Sequence, residues 1–449
     1  MGRIGFYGYF YWKCEEMKVV YLITGSGSEF YCANCYRDML YLRAIKKVPG
    51  ISARAVPLYL PPDKSLRDPG FEKEVFFGAI SMFLRDKVKV LRNMSPFWDK
   101  ILDSPPLLKL ASKMSGSTNT DGLEDMTLNM ISGDNSFQEH EVERLLRFIS
   151  KDGAPDIIHL SNALIMGLGK LIKQKNSDIN IVCSLLNEDD WIEDMKEPYR
   201  SKAWELMGEQ AGCIDRFITP SNYYKELFVG KTGADPEKVD VVPIGFDPEP
   251  VEWPEKPSNN PSIGFFSRMN DYNGFDKMVD AFILLKESGR FSDLKLLACG
   301  GFTGEDKPFV SRQKKKIKRR GLDNYFELFD EFTGNGKIDF LKSVDIISVP
   351  VSKYDGYGLY ILEANSAGIP VVMPHTGAFP EIIAHTGGGI TYSPDTVGEL
   401  AKNLAALIND KEKIHDLGAK GKKGVAENLS MRRMSVGISD VYNKSRKTT

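Results

Sequence analysis

Several things are scarce in this chain of 449 residues, and each scarcity narrows what it can be. No apolar run reaches the ~18 residues that a membrane-crossing helix needs. The aromatic stretch Ile4 to Trp12 is short, ends at Lys13-Cys14-Glu15-Glu16 and lacks a small-residue cleavage site, so it reads poorly as a signal peptide. Met17 resembles a natural start, so the first sixteen residues are expected to be an upstream extension. There are five histidines, with no H-x-x-x-H or D-x-D context, so no metal site is expected. The six cysteines are Cys14, Cys32, Cys35, Cys183, Cys213 and Cys299. Only Cys32 and Cys35 form a C-x-x-C, and no second pair completes a structural zinc site. They read as small residues packing the first helix, with redox use as the alternative. Scattered thiols fit a reducing cytoplasm. The net charge is -2, which leaves no global basic field for nucleic acid. The basic run Arg312 to Arg320 reads as a solvated helix face.

What is present is the composition of a globular protein, 42% hydrophobic and 27% charged, in a chain too long for one core. A strand at Val19 to Ile23 runs into Thr24-Gly25-Ser26-Gly27-Ser28 and then a helix from about Ala33 to Lys47, followed by a strand at Ala53 to Leu60. Further buried-type strands are predicted at 156–160, 179–185, 216–219 and 239–242, with helices between them. That alternation describes one doubly wound α/β domain over 17–247. Residues 62–150 interrupt it and read as a helical insertion. Its Phe76, Phe77, Phe83, Phe97 and Trp98 lie among Lys87, Lys89, Arg92 and Lys100. Such a mixture suits ordinary packing over the sheet, or a surface that meets an amphiphilic acceptor or an anionic membrane. A proline-rich linker spans 248–261. A second strand-helix series occupies 262–430, and a final helix in 431–449 is expected to cross back to the first domain.

The most informative window is Asp355-Gly356-Tyr357-Gly358-Leu359-Tyr360-Ile361-Leu362-Glu363, running on to Ala364-Asn365-Ser366-Ala367-Gly368-Ile369-Pro370-Val371-Val372. A glycine-rich turn opens a helix whose first amides suit a diphosphate. A carboxylate one turn inside suits the two hydroxyls of a ribose. This local chemistry points to a nucleotide.

The window resembles the E-x7-E region of glycosyltransferase family 4, a GT-B family. Glu363 matches the second glutamate, which in that family binds the donor ribose. Asp355 stands where the first is expected, the residue that contacts the donor sugar, and its carboxylate is retracted by ~1.5 Å. Gly264-Phe265-Phe266-Ser267-Arg268 followed by Gly274 resembles the segment that holds the diphosphate: Arg268 matches its arginine, Asn273 replaces its lysine, and Lys277 is the candidate substitute. Pro374 to Ile383 and Pro243-Ile244-Gly245-Phe246-Asp247 resemble two further family stretches, as do Pro155 to His159 and Gly25-Ser26-Gly27 in the first domain. Cys32-Ala33-Asn34-Cys35-Tyr36-Arg37-Asp38 resembles a poorly characterised branch. The resemblance implies two Rossmann-like doubly wound domains facing a cleft, and retaining, metal-independent transfer of a hexosyl-type group. It adds a nucleotide-sugar donor as substrate, no cofactor, and an unidentified acceptor that is a glycan, a lipid or a small molecule. Donor binding is expected from Gly25, Ser26, Gly27, Arg268, Asn273, Lys277, Gly356, Tyr357, Gly358, Leu359, Tyr360 and Glu363. The catalytic candidates are Arg268, Asp355, His159 and Glu188. Many family members carry a histidine where this chain reads Leu186-Asn187-Glu188-Asp189-Asp190-Trp191. Location is expected in the cytoplasm, with peripheral contact at the inner membrane face through the insertion as the alternative. Rival readings are a binding-only protein of the same fold and a phosphate-dependent phosphorylase. A nicotinamide oxidoreductase fails at the third glycine of G-x-G-x-x-G, because Gly25-x-Gly27 continues as Ser28-Glu29-Phe30.

Overall fold

A computed structural model describes residues 16–24, 33–59, 71–72, 75–77, 120, 122–134, 136–151, 153–248, 251, 253, 260–353 and 355–446. The first half builds β1 (Met17–Ile23), α1 (Ala33–Lys46), β2 (Ile51–Pro57), α2 (Glu124–Ser132), α3 (Ser136–Ile149), β3 (Ile157–Leu160), α4 (Gly167–Lys175), β4 (Asn180–Ser184), α5 (Glu188–Glu193), α6 (Tyr199–Gln210), β5 (Arg216–Thr219), α7 (Asn222–Thr232) and β6 (Val239–Val241). The second half follows with β7 (Ser262–Phe266), α8 (Phe275–Glu287), β8 (Lys295–Cys299), α9 (Lys307–Arg319), β9 (Phe326–Phe329), α10 (Gly334–Ser343) and β10 (Ile346–Ile347). It ends with α11 (Leu359–Ser366), β11 (Val371–Pro374), α12 (Phe379–Thr386), β12 (Gly389–Tyr392), α13 (Val397–Ile408), α14 (Lys411–Asn428) and α15 (Met431–Arg446).

The strands form two six-stranded, all-parallel sheets, ordered β2-β1-β3-β4-β5-β6 and β12-β11-β10-β7-β8-β9. Helices cover both faces of such a sheet, so its central strands are largely apolar, as at Ile157 and Ile158 and in the run Ile263 to Phe266. In each sheet the winding direction reverses once, between β1 and β3 and between β7 and β10. A crevice opens beyond the carboxyl ends of the strands at such a reversal, and that is where open α/β sheets take ligands. Helix α15 returns to the first sheet and packs on α1, β4 and β5.

One open alternative is decided here and one expectation changes. Phe76 and Phe77 are buried, with Arg144 over the Phe76 ring, so they pack the core and are not part of an exposed surface. Phe83, Lys87, Lys89, Arg92, Phe97, Trp98 and Lys100 lie outside the described residues, as do Gly25, Ser26, Gly27 and Cys32. Cys35 is disulfide-bonded, which corrects the picture of a thiol simply filling space. Among the described residues no helix is long and apolar enough to cross a membrane.

Candidate active site

The Asp355 loop leaves the carboxyl end of β10 and delivers the chain into α11. One Asp355 carboxylate oxygen accepts from the amides of Tyr357 and Gly358, both at 2.9 Å, and the other accepts from the Tyr360 hydroxyl at 2.9 Å. Asp355 therefore braces the turn from within, and three donors already occupy its carboxylate. The Gly358 amide is spent on it too, which leaves the amides of Leu359 and Tyr360 as those without an intrahelical partner. Gly356 is pressed against the first domain: a Cβ there would stand 2.8 Å from the Tyr224 ring and 2.9 Å from Asn187 Oδ1. The Gly356 amide donates to Asn187 Oδ1 at 3.1 Å, and its carbonyl accepts from the Ser221 hydroxyl at 2.8 Å. The Tyr357 hydroxyl donates to Asn34 Oδ1 at 2.6 Å, reaching the first turn of α1.

Glu363 is 1% exposed, and its Oε1 lies 3.0 Å from the ammonium of Lys337 on α10. That ammonium also stands 5.3 Å from the centre of the Tyr36 ring on α1. Lys337 was missed in the sequence, where it sits in a polar helix start with no spacing to mark it. Cys299, at the end of β8, feels both charges, and burial pushes its thiol up to about 12.

Arg268 follows β7 and is buried. Its Nε donates to Asp306 at 2.8 Å, and its Nη2 donates to Asp306 at 3.2 Å and to Thr303 at 3.1 Å. The charge expected to face only a ligand thus has a buried carboxylate partner, which fixes the fork but offsets its field. Asn273 holds the same loop, its Nδ2 donating to the Arg268 carbonyl at 2.9 Å. Gly274 has φ +73°, and a Cβ there would stand 1.8 Å from the Pro350 carbonyl oxygen, so the loop needs glycine. Lys277 is turned to Asp395 at 2.8 Å and to the Val351 carbonyl at 3.3 Å, so its ammonium is engaged away from the diphosphate role expected of it.

Two catalytic candidates become structural. His159 is fully buried between the Tyr442 hydroxyl and the Ser184 hydroxyl, each at 2.8 Å, and desolvation pulls it down to about 3, so it stays neutral. Glu188 accepts from the amides of Ala163 (2.7 Å) and Leu186 (2.8 Å) and from the Tyr224 hydroxyl (2.6 Å), which makes it a staple between loops. The residue overlooked there is Asp190. Its Oδ1 accepts from the Tyr272 hydroxyl of the second domain at 2.6 Å. Burial first, then the charges of Asp189 and Asp355, push Asp190 up to about 8, with the Tyr272 hydrogen bond and Lys353 opposing. Asp189 is pushed up to about 6, again mainly by burial.

Residues 132–250 match the family model described as Glycosyltransferase Family 4, and residues 250–424 match that described as Glycosyl transferases group 1. The chain belongs to glycosyltransferase family 4. This family 4 chain is 28% identical over 184 residues to the lipopolysaccharide core biosynthesis mannosyltransferase LpsB of Rhizobium meliloti, covering 40% of this chain and 50% of that one. It is 25% identical over 224 residues to a D-inositol 3-phosphate glycosyltransferase of Corynebacterium efficiens, covering 47% and 52%. The family 4 chain thus spans about half the length of the curated relatives it matches. Its fold is the GT-B fold. A sucrose-phosphate synthase from Thermosynechococcus elongatus aligns over 96% of this chain and all of its own, with TM-score 0.68 and 14% identity. The Anabaena protein HepE, solved in complex with UDP and glucose, aligns over 94% of this chain and 98% of its own, with TM-score 0.65 and 14% identity.

Proposed function

We propose that the protein is a retaining, metal-independent glycosyltransferase that moves a hexosyl-type group from a nucleotide-sugar donor. The observation that carries this reading is the Asp355-braced loop and α11 at the reversal of the second sheet, with buried Glu363 one turn inside and Asn34, Asn187 and Tyr224 of the first domain opposite. Glu363 accepts from the donor ribose, and Lys337 holds that carboxylate in place. The amides of Leu359 and Tyr360, with Arg268, stabilise the charge that builds on the departing diphosphate. The acceptor enters from the first domain. It is a glycan, a lipid headgroup or a small molecule, and the reaction is placed in the cytoplasm or at the inner membrane face. No nucleophile of the protein is assigned. The leaving phosphate assists the incoming hydroxyl on the same face of the sugar, which retains the anomeric configuration.

The binding-only alternative draws on one observation, the engagement of Lys277 by Asp395 together with Asn273 in place of a cation. Incubation with a panel of nucleotide sugars, measuring released nucleoside diphosphate with and without EDTA, separates the two. The transferase reading expects donor-specific release that survives chelation and falls in Glu363→Gln. Binding without release from any donor supports the alternative.

A further inference from the structure

The reversal of the second sheet carries Arg268, and the reversal of the first carries a second buried arginine. Arg37 lies on α1, which follows β1, and its Nη2 donates at 2.6 Å to the carbonyl of Ser161, the first residue beyond β3. The guanidinium thus lies beside the β1–β3 reversal, and at such a reversal an open α/β sheet takes ligands. Its second Nη2 bond, also 2.6 Å, goes to Asp38 Oδ1, which accepts from the Tyr21 hydroxyl at 2.8 Å as well. The Tyr41 ring lies 5.5 Å away.

Arg37 is 1% exposed, yet its Nε and Nη1 have no hydrogen-bond partner. A guanidinium has five N–H donors, so those two nitrogens leave three unspent in a buried place. Leaving buried donors unpaired is costly, and a charged group makes it more so. The bonds to Asp38 and Ser161 use Nη2 alone, so they account for that nitrogen and not for Nε and Nη1. Burial pushes the Asp38 carboxyl up, while the Arg37 charge opposes it. The neighbouring turn of α1 faces the donor side: Asn34 meets Tyr357, and Tyr36 meets Lys337.

We propose that Arg37 forms an oxyanion subsite at the β1–β3 crevice, taking a phosphate or carboxylate group of a substrate. That chemistry has two sources, an anionic group on the acceptor or the diphosphate of the donor. The subsite itself does not depend on the transferase reading; only the naming of its source does.

The test uses the full chain, inorganic phosphate as probe, and thermal shift with calorimetry, in the absence and presence of saturating UDP. Phosphate is expected to raise the melting temperature of the wild type. Arg37→Met is expected to weaken phosphate by about tenfold or more, as loss of charge-assisted bonds does, and Arg37→Lys to retain part of the affinity. If phosphate binds beside UDP, the acceptor is the source. If UDP displaces it and Arg37→Met weakens UDP in parallel, the donor diphosphate is the source. Equal phosphate affinity in folded wild type and Arg37→Met overturns the subsite, as does no phosphate binding at all. Should Arg37→Met not fold, Asp38→Asn is read instead: removal of the counter-charge must tighten phosphate, and unchanged affinity overturns the proposal. Failure of donor turnover leaves this readout untouched.

Discussion

Replacing Asp190 by asparagine should make the protein more stable at alkaline pH and change little under acid. In the folded chain Asp190 titrates at about 8, because it is half-buried at the cleft beside Asp189 and Asp355. Unfolded, it returns to about 4. Between these values the native state holds a proton that the unfolded chain has released, so wild-type stability falls as pH rises from about 4 to about 8 and levels off above. An asparagine keeps the neutral form at every pH and can still accept from the Tyr272 hydroxyl. At about 1.4 kcal/mol per pH unit the full interval sets a ceiling of roughly 5–6 kcal/mol. Solvent screening at a half-buried position and coupling to Asp189 cut this, and a gain of about 2 kcal/mol between pH 5 and 8.5 is expected. For a domain of this size that is roughly 4–8 °C. Melting temperatures of both proteins at half-unit steps from pH 5 to 9 provide the assay. The gap must widen up to about pH 8 and then stay flat. Parallel curves would refute the burial argument for Asp190.

Other outcomes follow from the same geometry. Lys337→Met should destabilise the protein by about 3–5 kcal/mol, because it strips a cation from a buried carboxylate; urea unfolding measures this, and a change below about 1 kcal/mol contradicts the buried pair. Arg268→Ala should lower both stability and turnover, since it orphans buried Asp306, and Asp306→Asn added to it should restore stability but not turnover. Gly274→Ala should destabilise by at least ~1–3 kcal/mol, as a Cβ in the left-handed region meets the Pro350 carbonyl; an unchanged melting temperature would count against this loop geometry.

The strand-helix alternation made the doubly wound fold readable, because parallel strands buried on both faces leave continuous apolar runs such as Ile263 to Phe266. The Asp355 to Glu363 window was readable because glycines, a helix start and a carboxylate fall within nine neighbouring positions. What the sequence hid depends on contacts between distant segments. His159 looks like a cleft residue at a strand end, but Tyr442 arrives from α15 to bury it. Glu188 looks like an acid in a loop, but Ala163, Leu186 and Tyr224 close around it. Lys337 and Glu363 stand 26 positions apart, and Asp190 and Tyr272 stand 82 apart. No periodicity spans such intervals. Arg37 carries no local mark either; only the strand order reveals that it sits at a sheet reversal.

The central claim is that the second domain holds a nucleoside diphosphate through Glu363. Isothermal titration of UDP, GDP and ADP into wild type and Glu363→Gln, with folding of both checked by melting, tests it most directly. The account predicts that at least one diphosphate binds the wild type, and that loss of the ionised acceptor weakens it by about tenfold or more. Equal affinity in both proteins, or no binding of any nucleotide to the wild type, would contradict it.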